Sequence, residues 1–181
     1  AIKKLNPVGI VLSGGPASVL VRGAPKPKQA IFSLGIPVLG ICYGLQLMGT
    51  MLGGKVKNSS RREYGRGNLN ILTKGSLFKG LPSKLTVWNS HVDCLAKLPK
   101  GFKSLAQTEN SDFASIENPS KKFFGLQFHP EVEHSEKGKD IIRNFLFTVC
   151  KCSGDWDMDD CTLSAVEDIK RRVGKRRVIL G

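Results

Sequence analysis

Long hydrophobic runs are missing from this 181-residue chain. None reaches the ~18 apolar residues that a membrane-crossing helix requires, so no membrane partner is expected. The opening Ala1-Ile2-Lys3-Lys4 lacks a signal peptide's apolar core, and no Met precedes it, so a fragment or processed chain is expected. Histidine is scarce, with only His91, His129 and His134. The five cysteines, Cys42, Cys94, Cys150, Cys152 and Cys161, are odd in number and unevenly spaced. That pattern without a secretory signal points to reduced thiols and a cytoplasmic location. Cys150 and Cys152 have no second pair to complete a zinc site, so no metal is expected. Aromatic residues reach only 7% and form no RNA-binding signature, and no zinc-finger spacing occurs. Acidic residues are also few, 15 against 28 basic ones, for a net charge of +13. Lys170, Arg171, Arg172, Lys175, Arg176 and Arg177 crowd near the end, and the remainder is thinly spread. This reads as a solvated basic face, with no specific nucleic-acid partner.

What is present is a globular balance, 40% hydrophobic and 24% charged, with 20 glycines. The length suits one ordinary domain with a piece of a second. Val8 to Leu12 is a short apolar run stopping at Ser13-Gly14-Gly15-Pro16, a buried strand entering a glycine turn. Lys28 to Leu34 predicts a short helix, Ile36 to Ile41 a second buried strand, and Leu45 to Leu52 a helix closed by Gly53-Gly54. Further strands are expected over 68–72, 84–88, 104–107, 114–117 and 123–128, and an amphipathic helix over 140–149. Alternating strands and helices at the start imply an α/β fold, an open, mostly parallel sheet with flanking helices. The later strands lack intervening helices and are expected as antiparallel additions. Residues 153–160 carry four acids and read as a linker between a domain over 1–152 and a further segment over 161–181. In that segment 161–174 has helical spacing and 175–181 begins as a strand.

The sharpest local feature is Gly40-Ile41-Cys42-Tyr43-Gly44, where a buried strand runs through a tight turn into a helix. This is the form of a nucleophile elbow with cysteine in place of serine. The flanking glycines are expected to permit the turn and expose the thiol, and the helix N-terminus to lower its pKa. Taken alone, the element equally suits a small buried cysteine. A cysteine nucleophile needs a base, and the base needs an orienting group. Phe128-His129-Pro130-Glu131 offers both, because residues i and i+2 on an extended backbone point the same way. Taken alone, His-Pro-Glu is also a common surface turn; beside the elbow it reads as base and orienter. The Tyr43 amide, just past the nucleophile, and the Gly15 amide are the expected oxyanion donors. Ser13 to Ser18 resembles an ATP-pyrophosphatase phosphate loop, but Ala17 replaces its Asp, and no Walker-type motif occurs.

Ser13-Gly-Gly-Pro16, Gly40-Ile-Cys-Tyr-Gly-Leu-Gln46, Trp88-Asn-Ser-His-Val-Asp93 and Gly125-Leu-Gln-Phe-His-Pro-Glu131 occur in that order. Together they resemble the class I (triad-type) glutamine amidotransferases across residues 8 to about 150. The resemblance implies a flavodoxin-like α/β fold and a Cys42–His129–Glu131 triad. It also implies an oxyanion hole from Gly15 and Tyr43, and glutamine contacts from Gln46 and the backbone around Ser90 and His91. Asn89 and Val92 depart from the Met and Gly usual in that loop.

Arg62-Glu63-Tyr64-Gly65 and the tail from Asp168 resemble the members that feed ammonia to an ATP pyrophosphatase domain. In those members that domain adenylates and aminates XMP. The resemblance implies glutamine as substrate and no cofactor for the glutaminase region, with ATP and Mg²⁺ used by the acceptor domain. It also implies a homodimer when full-length, and a strand and helix ahead of Val8. Two alternatives are a glutaminase of another pathway, such as anthranilate or carbamoyl phosphate synthesis, and a non-catalytic basic interaction module on the same scaffold. His91 is expected to do no proton transfer, His134 to be a surface residue, and Trp88 to serve in packing and not as a ligand platform.

Overall fold

The structure is a computed structural model that describes residues 2–155 and 158–179. Its centre is β2 (Val38–Ile41), where every residue is buried. Leu39 and Ile41 face one cluster with Phe124, Leu126, Ile141 and Phe145, while Val38 faces another with Leu45, Met48 and Phe123. A strand covered on both faces has no polar alternation, which is why this segment reads as an unbroken apolar run.

β2 pairs in parallel with β1 (Ile10–Leu12) and β7 (Phe123–Leu126). From β7 the sheet continues antiparallel through β6 (Ser115–Asn118), β5 (Lys103–Gln107), β3 (Lys55–Ile71) and β4 (Lys84–Lys97). The α/β sheet with antiparallel additions is as expected, but it is not mostly parallel. Among the described residues four of its six strand pairings are antiparallel, because the later strands follow one another without the crossover helices that parallel pairing needs.

Helix α1 (Ile2–Leu5) is followed, after β2, by α2 (Tyr43–Met51), which packs on the sheet. It lies very close. A Cβ on Gly40 would come within 2.6 Å of the Gly44 carbonyl oxygen, and one on Gly125 would strike the Leu45 side chain. Because β1, β2 and β7 run parallel, their carboxyl ends fall together, and the loops beyond them form the site.

Several segments differ from expectation. The short helix over 28–34 is a single 3₁₀ stretch, Gln29–Ser33. The helix over 140–149 is α3 (Gly138–Arg143) passing into a π turn at Asn144–Val149. The strands over 68–72 and 84–88 are parts of one 17- and 14-residue hairpin, so the segment Trp88–Asp93 is strand throughout. Helix α4 (Met158–Val173) starts inside the expected linker. Residues 175–179 form no strand, and the last two residues of that expectation lie outside the described ones.

Candidate active site

Cys42 sits between β2 and α2 with φ 50° and ψ −107°. That is a left-handed backbone which a residue with a Cβ adopts at a cost, about 1–3 kcal/mol. Two backbone hydrogen bonds hold it there. The Cys42 N–H donates to the Leu126 carbonyl at 2.7 Å, and the Gln46 N–H donates to the Cys42 carbonyl at 3.1 Å. The flanking glycines serve close packing and not a positive φ: a Cβ on Gly44 would collide with the Leu12 carbonyl of β1. The strain falls on the cysteine itself.

The thiol is buried, 4% exposed, and not open to solvent as the glycines suggested. Burial pushes it up to about 11; the Tyr43 amide holds it down and the Glu131 carboxylate adds to the rise. The expected lowering by the helix N-terminus is thus outweighed by desolvation. In the resting state the thiol is neutral and donates to the Ser90 carbonyl at 3.7 Å.

His129 follows β7, and its N–H donates to the Trp88 carbonyl of β4 at 2.9 Å. Its Nδ1 lies 2.7 Å from Glu131 Oε1, which leaves Nε2 outside that contact. The same turn places His129 near Cys42. A Cβ on Gly14 would lie 2.9 Å from His129 Cε1 and 3.7 Å from Cys42 Cβ. Cys42, His129, Gly15, Tyr43, Gln46, Ser90 and His91 all line one cavity of about 620 Å³. Glu131 sits behind His129, half-exposed.

Four residues that sequence reasoning passed over complete the arrangement. Asp93 joins three elements: Ser18 of the glycine loop and Asn58 of β3 donate to its carboxylate, and Gln46 Nε2 donates to its carbonyl at 2.7 Å. Gly14 leaves room for the imidazole. Ser135 ties the His129 carbonyl to β4. Gln127 approaches the Cys42 sulfur. Asp93, Gly14 and Gln127 lie inside the motifs already singled out, yet nothing local marks their contacts. Buried His91 has its Nε2 3.1 Å from Glu63 Oε2, without hydrogen-bond alignment. Glu63 also accepts from Thr108 at 3.0 Å. Exposed His134 packs against Trp88 with ring centroids 4.8 Å apart and planes tilted by 46°.

The class-I glutamine amidotransferase family model matches residues 1–149. The chain belongs to that family. It is 53% identical over 174 residues to the GMP synthase [glutamine-hydrolyzing] of Syntrophomonas wolfei, covering 96% of this chain and 34% of that protein. The Aquifex aeolicus protein of the same name is 49% identical over 178 residues, covering 98% and 35%. The chain therefore spans about a third of the length of these curated relatives. Among solved structures, a GMP synthase component from Thermoplasma acidophilum superposes with TM-score 0.68 at 29% identity, covering 91% of this chain and 76% of that one. A Thermotoga maritima glutamine amidotransferase shares the fold, with TM-score 0.59, 23% identity and coverage of 90% and 72%. As an amidotransferase domain, the chain has the α/β sheet and flanking helices expected of this family.

Proposed function

We propose that this chain is the glutaminase region of a glutamine-hydrolysing GMP synthase, with Cys42, His129 and Glu131 as its triad. The observation that carries the reading is the convergence of the strained Cys42 turn and the Glu131-paired His129 on one cavity. The Cys42 S–H proton passes to His129 Nε2, and the thiolate so formed attacks the side-chain carbonyl carbon of glutamine. The Gly15 and Tyr43 amides hold the resulting oxyanion; a donor of this kind is worth about 10²–10³ in kcat. The C–N bond breaks, and His129 returns its proton to the departing nitrogen, which leaves as ammonia. Water, giving its proton to His129, then attacks the thioester, and glutamate leaves as the thiol reforms. Glu131 keeps the imidazole oriented and stabilises its cationic form. Gln46 and the backbone of Ser90 and His91 position the substrate.

Ammonia goes to an ATP pyrophosphatase domain that consumes ATP with Mg²⁺ and aminates XMP to GMP. In this reading 1–152 is the amidotransferase domain, 153–160 a linker and 161–181 the start of the acceptor domain. Helix α4 supports it, since Leu163, Val166 and Ile169 form an exposed stripe with 64%, 41% and 59% of their surface open. The enzyme is cytoplasmic and homodimeric in full-length form. Among the described residues no helix is long and apolar enough to cross a membrane.

The test is Cys42→Ala in the full-length protein. Glutamine-dependent GMP formation is expected to vanish while ammonia-dependent formation persists. Loss of both, or of neither, would count against the assignment. Selective labelling of Cys42 by a glutamine-mimicking chloroketone separates the enzyme from a non-catalytic module.

A further inference from the structure

Gln127 lies just past the end of β7, two residues ahead of His129. It is 1% exposed, and its Nε2 lies 3.9 Å from the Cys42 sulfur. The other end of the same carboxamide, Oε1, is buried and has no hydrogen-bond partner among the described residues. A buried amide satisfied at one end only costs stability relative to an apolar side chain of similar shape. Fold stability therefore gives no reason for a carboxamide here. Chemistry at the sulfur does.

The thiol proton points at the Ser90 carbonyl, so the sulfur offers Gln127 its lone pairs. Those lone pairs match an N–H donor and would repel Oε1. Resting thiol and amide make a weak contact. Once the proton moves to His129, the same N–H faces a full negative charge, and hydrogen bonds to ions are stronger than those between neutral groups. The stabilisation thus grows as charge develops, which is what accelerates a step.

We infer that Gln127 is a catalytic residue whose side-chain N–H stabilises the Cys42 thiolate as it forms in the buried pocket. This deepens the glutaminase reading and rests on it. The only bond broken in the step is S–H, and the proton is held by His129.

The experiment compares Gln127→Met with the wild type in the full-length protein, following iodoacetamide alkylation of Cys42 against pH, thermal stability and glutaminase kinetics. The expected result is an unchanged or higher Tm, with Cys42 alkylation at pH 8 and kcat each down about tenfold or more, as for a lost hydrogen bond to a charged group. KM for glutamine should stay within about twofold, because Gln127 acts on the sulfur and not on substrate binding. Unchanged alkylation and kcat in the folded variant would overturn the inference. If the Met variant does not fold, Gln127→Glu has the same shape and sets a carboxylate beside the sulfur. It should lose still more alkylation, and an unchanged profile there is equally fatal. Alkylation reads the sulfur alone. A wild type without glutaminase activity but with the alkylation difference intact would support the contact and overturn the glutaminase assignment.

Discussion

Ser135 clamps the backbone of His129. Its hydroxyl donates to the His129 carbonyl at 2.5 Å and accepts the Trp88 N–H at 2.9 Å. Below it, Thr86 and Glu136 exchange two more hydrogen bonds, each 2.8 Å, between β4 and this turn. The strand that presents Ser90 to the thiol therefore also sets the position of the imidazole. Ser135→Ala should lower kcat several-fold with KM nearly constant, and cost about 1 kcal/mol, because it removes the partner of the part-buried Trp88 amide and His129 carbonyl. Steady-state kinetics and chemical denaturation measure the two effects; Ser135→Thr, which keeps the hydroxyl, should restore most of both.

Gly14 carries a different constraint. Its φ is not in the left-handed region, so alanine suits the backbone there, and the obstacle is His129 Cε1 at 2.9 Å from the added Cβ. Gly14→Ala is expected to fold normally yet displace the ring, cutting glutaminase activity by about 10² for a misplacement near 1 Å. Circular dichroism together with a glutamate-release assay checks this, and wild-type activity would refute it.

The thiols should sort by burial. Cys161 is exposed and Cys42 buried. At pH 8 without substrate, iodoacetamide should modify Cys161 first, since the thiol held at about 11 is a thiolate in roughly one molecule in a thousand. Alkylation of Cys42 should climb steeply between pH 9 and 11. Peptide mapping over a pH series reads this, and rapid Cys42 alkylation at pH 7 would contradict it.

Glu63 lends stability above its own titration. Burial alone would raise its carboxyl, but His91 and Thr108, with the Asn110 amide, bring it below the usual 4.5. A depressed folded pKa stabilises the native state above 4.5, and the benefit fades as pH falls through the folded value. Glu63→Gln should therefore be less stable than wild type at pH 7, by about 1–3 kcal/mol. The gap should narrow below pH 4. Urea unfolding at pH 7 and pH 3.5 provides the comparison.

Asn89 offers the opposite case. It is 2% exposed, and its Oδ1 has no hydrogen-bond partner among the described residues. Asn89→Met removes that buried acceptor and is expected to raise Tm by a few degrees, a change that calorimetry would detect.

The elbow was legible because its signals are local. An apolar run, two small residues and a following helix lie within a dozen positions, and the backbone conformation follows from them. The long hairpin was not. Lys57-Asn58-Ser59-Ser60-Arg61-Arg62 has no alternation of polar and apolar residues to announce a strand, and it is the pairing of Lys57 and Asn58 with Cys94 and Asp93, and of Glu63 with His91, that anchors the strand on either side of an irregular stretch. On β4 the inward positions change from Leu85 and Val87 to Asn89, His91 and Asp93, so a buried face looked like a loop. Likewise 140–149 has helical spacing throughout, and only the three-dimensional packing shows where the α turn relaxes into a π turn.

Chain chemistry picked out the candidate side chains: a cysteine at a strand–helix turn, and a histidine two residues from a carboxylate. Such pairings depend on spacing along the backbone, which any extended or turning segment preserves. Folding settled the protonation of the sulfur and the company it keeps. Desolvation and contacts between distant strands set both, and these exist only once β2, β4 and β7 stand side by side.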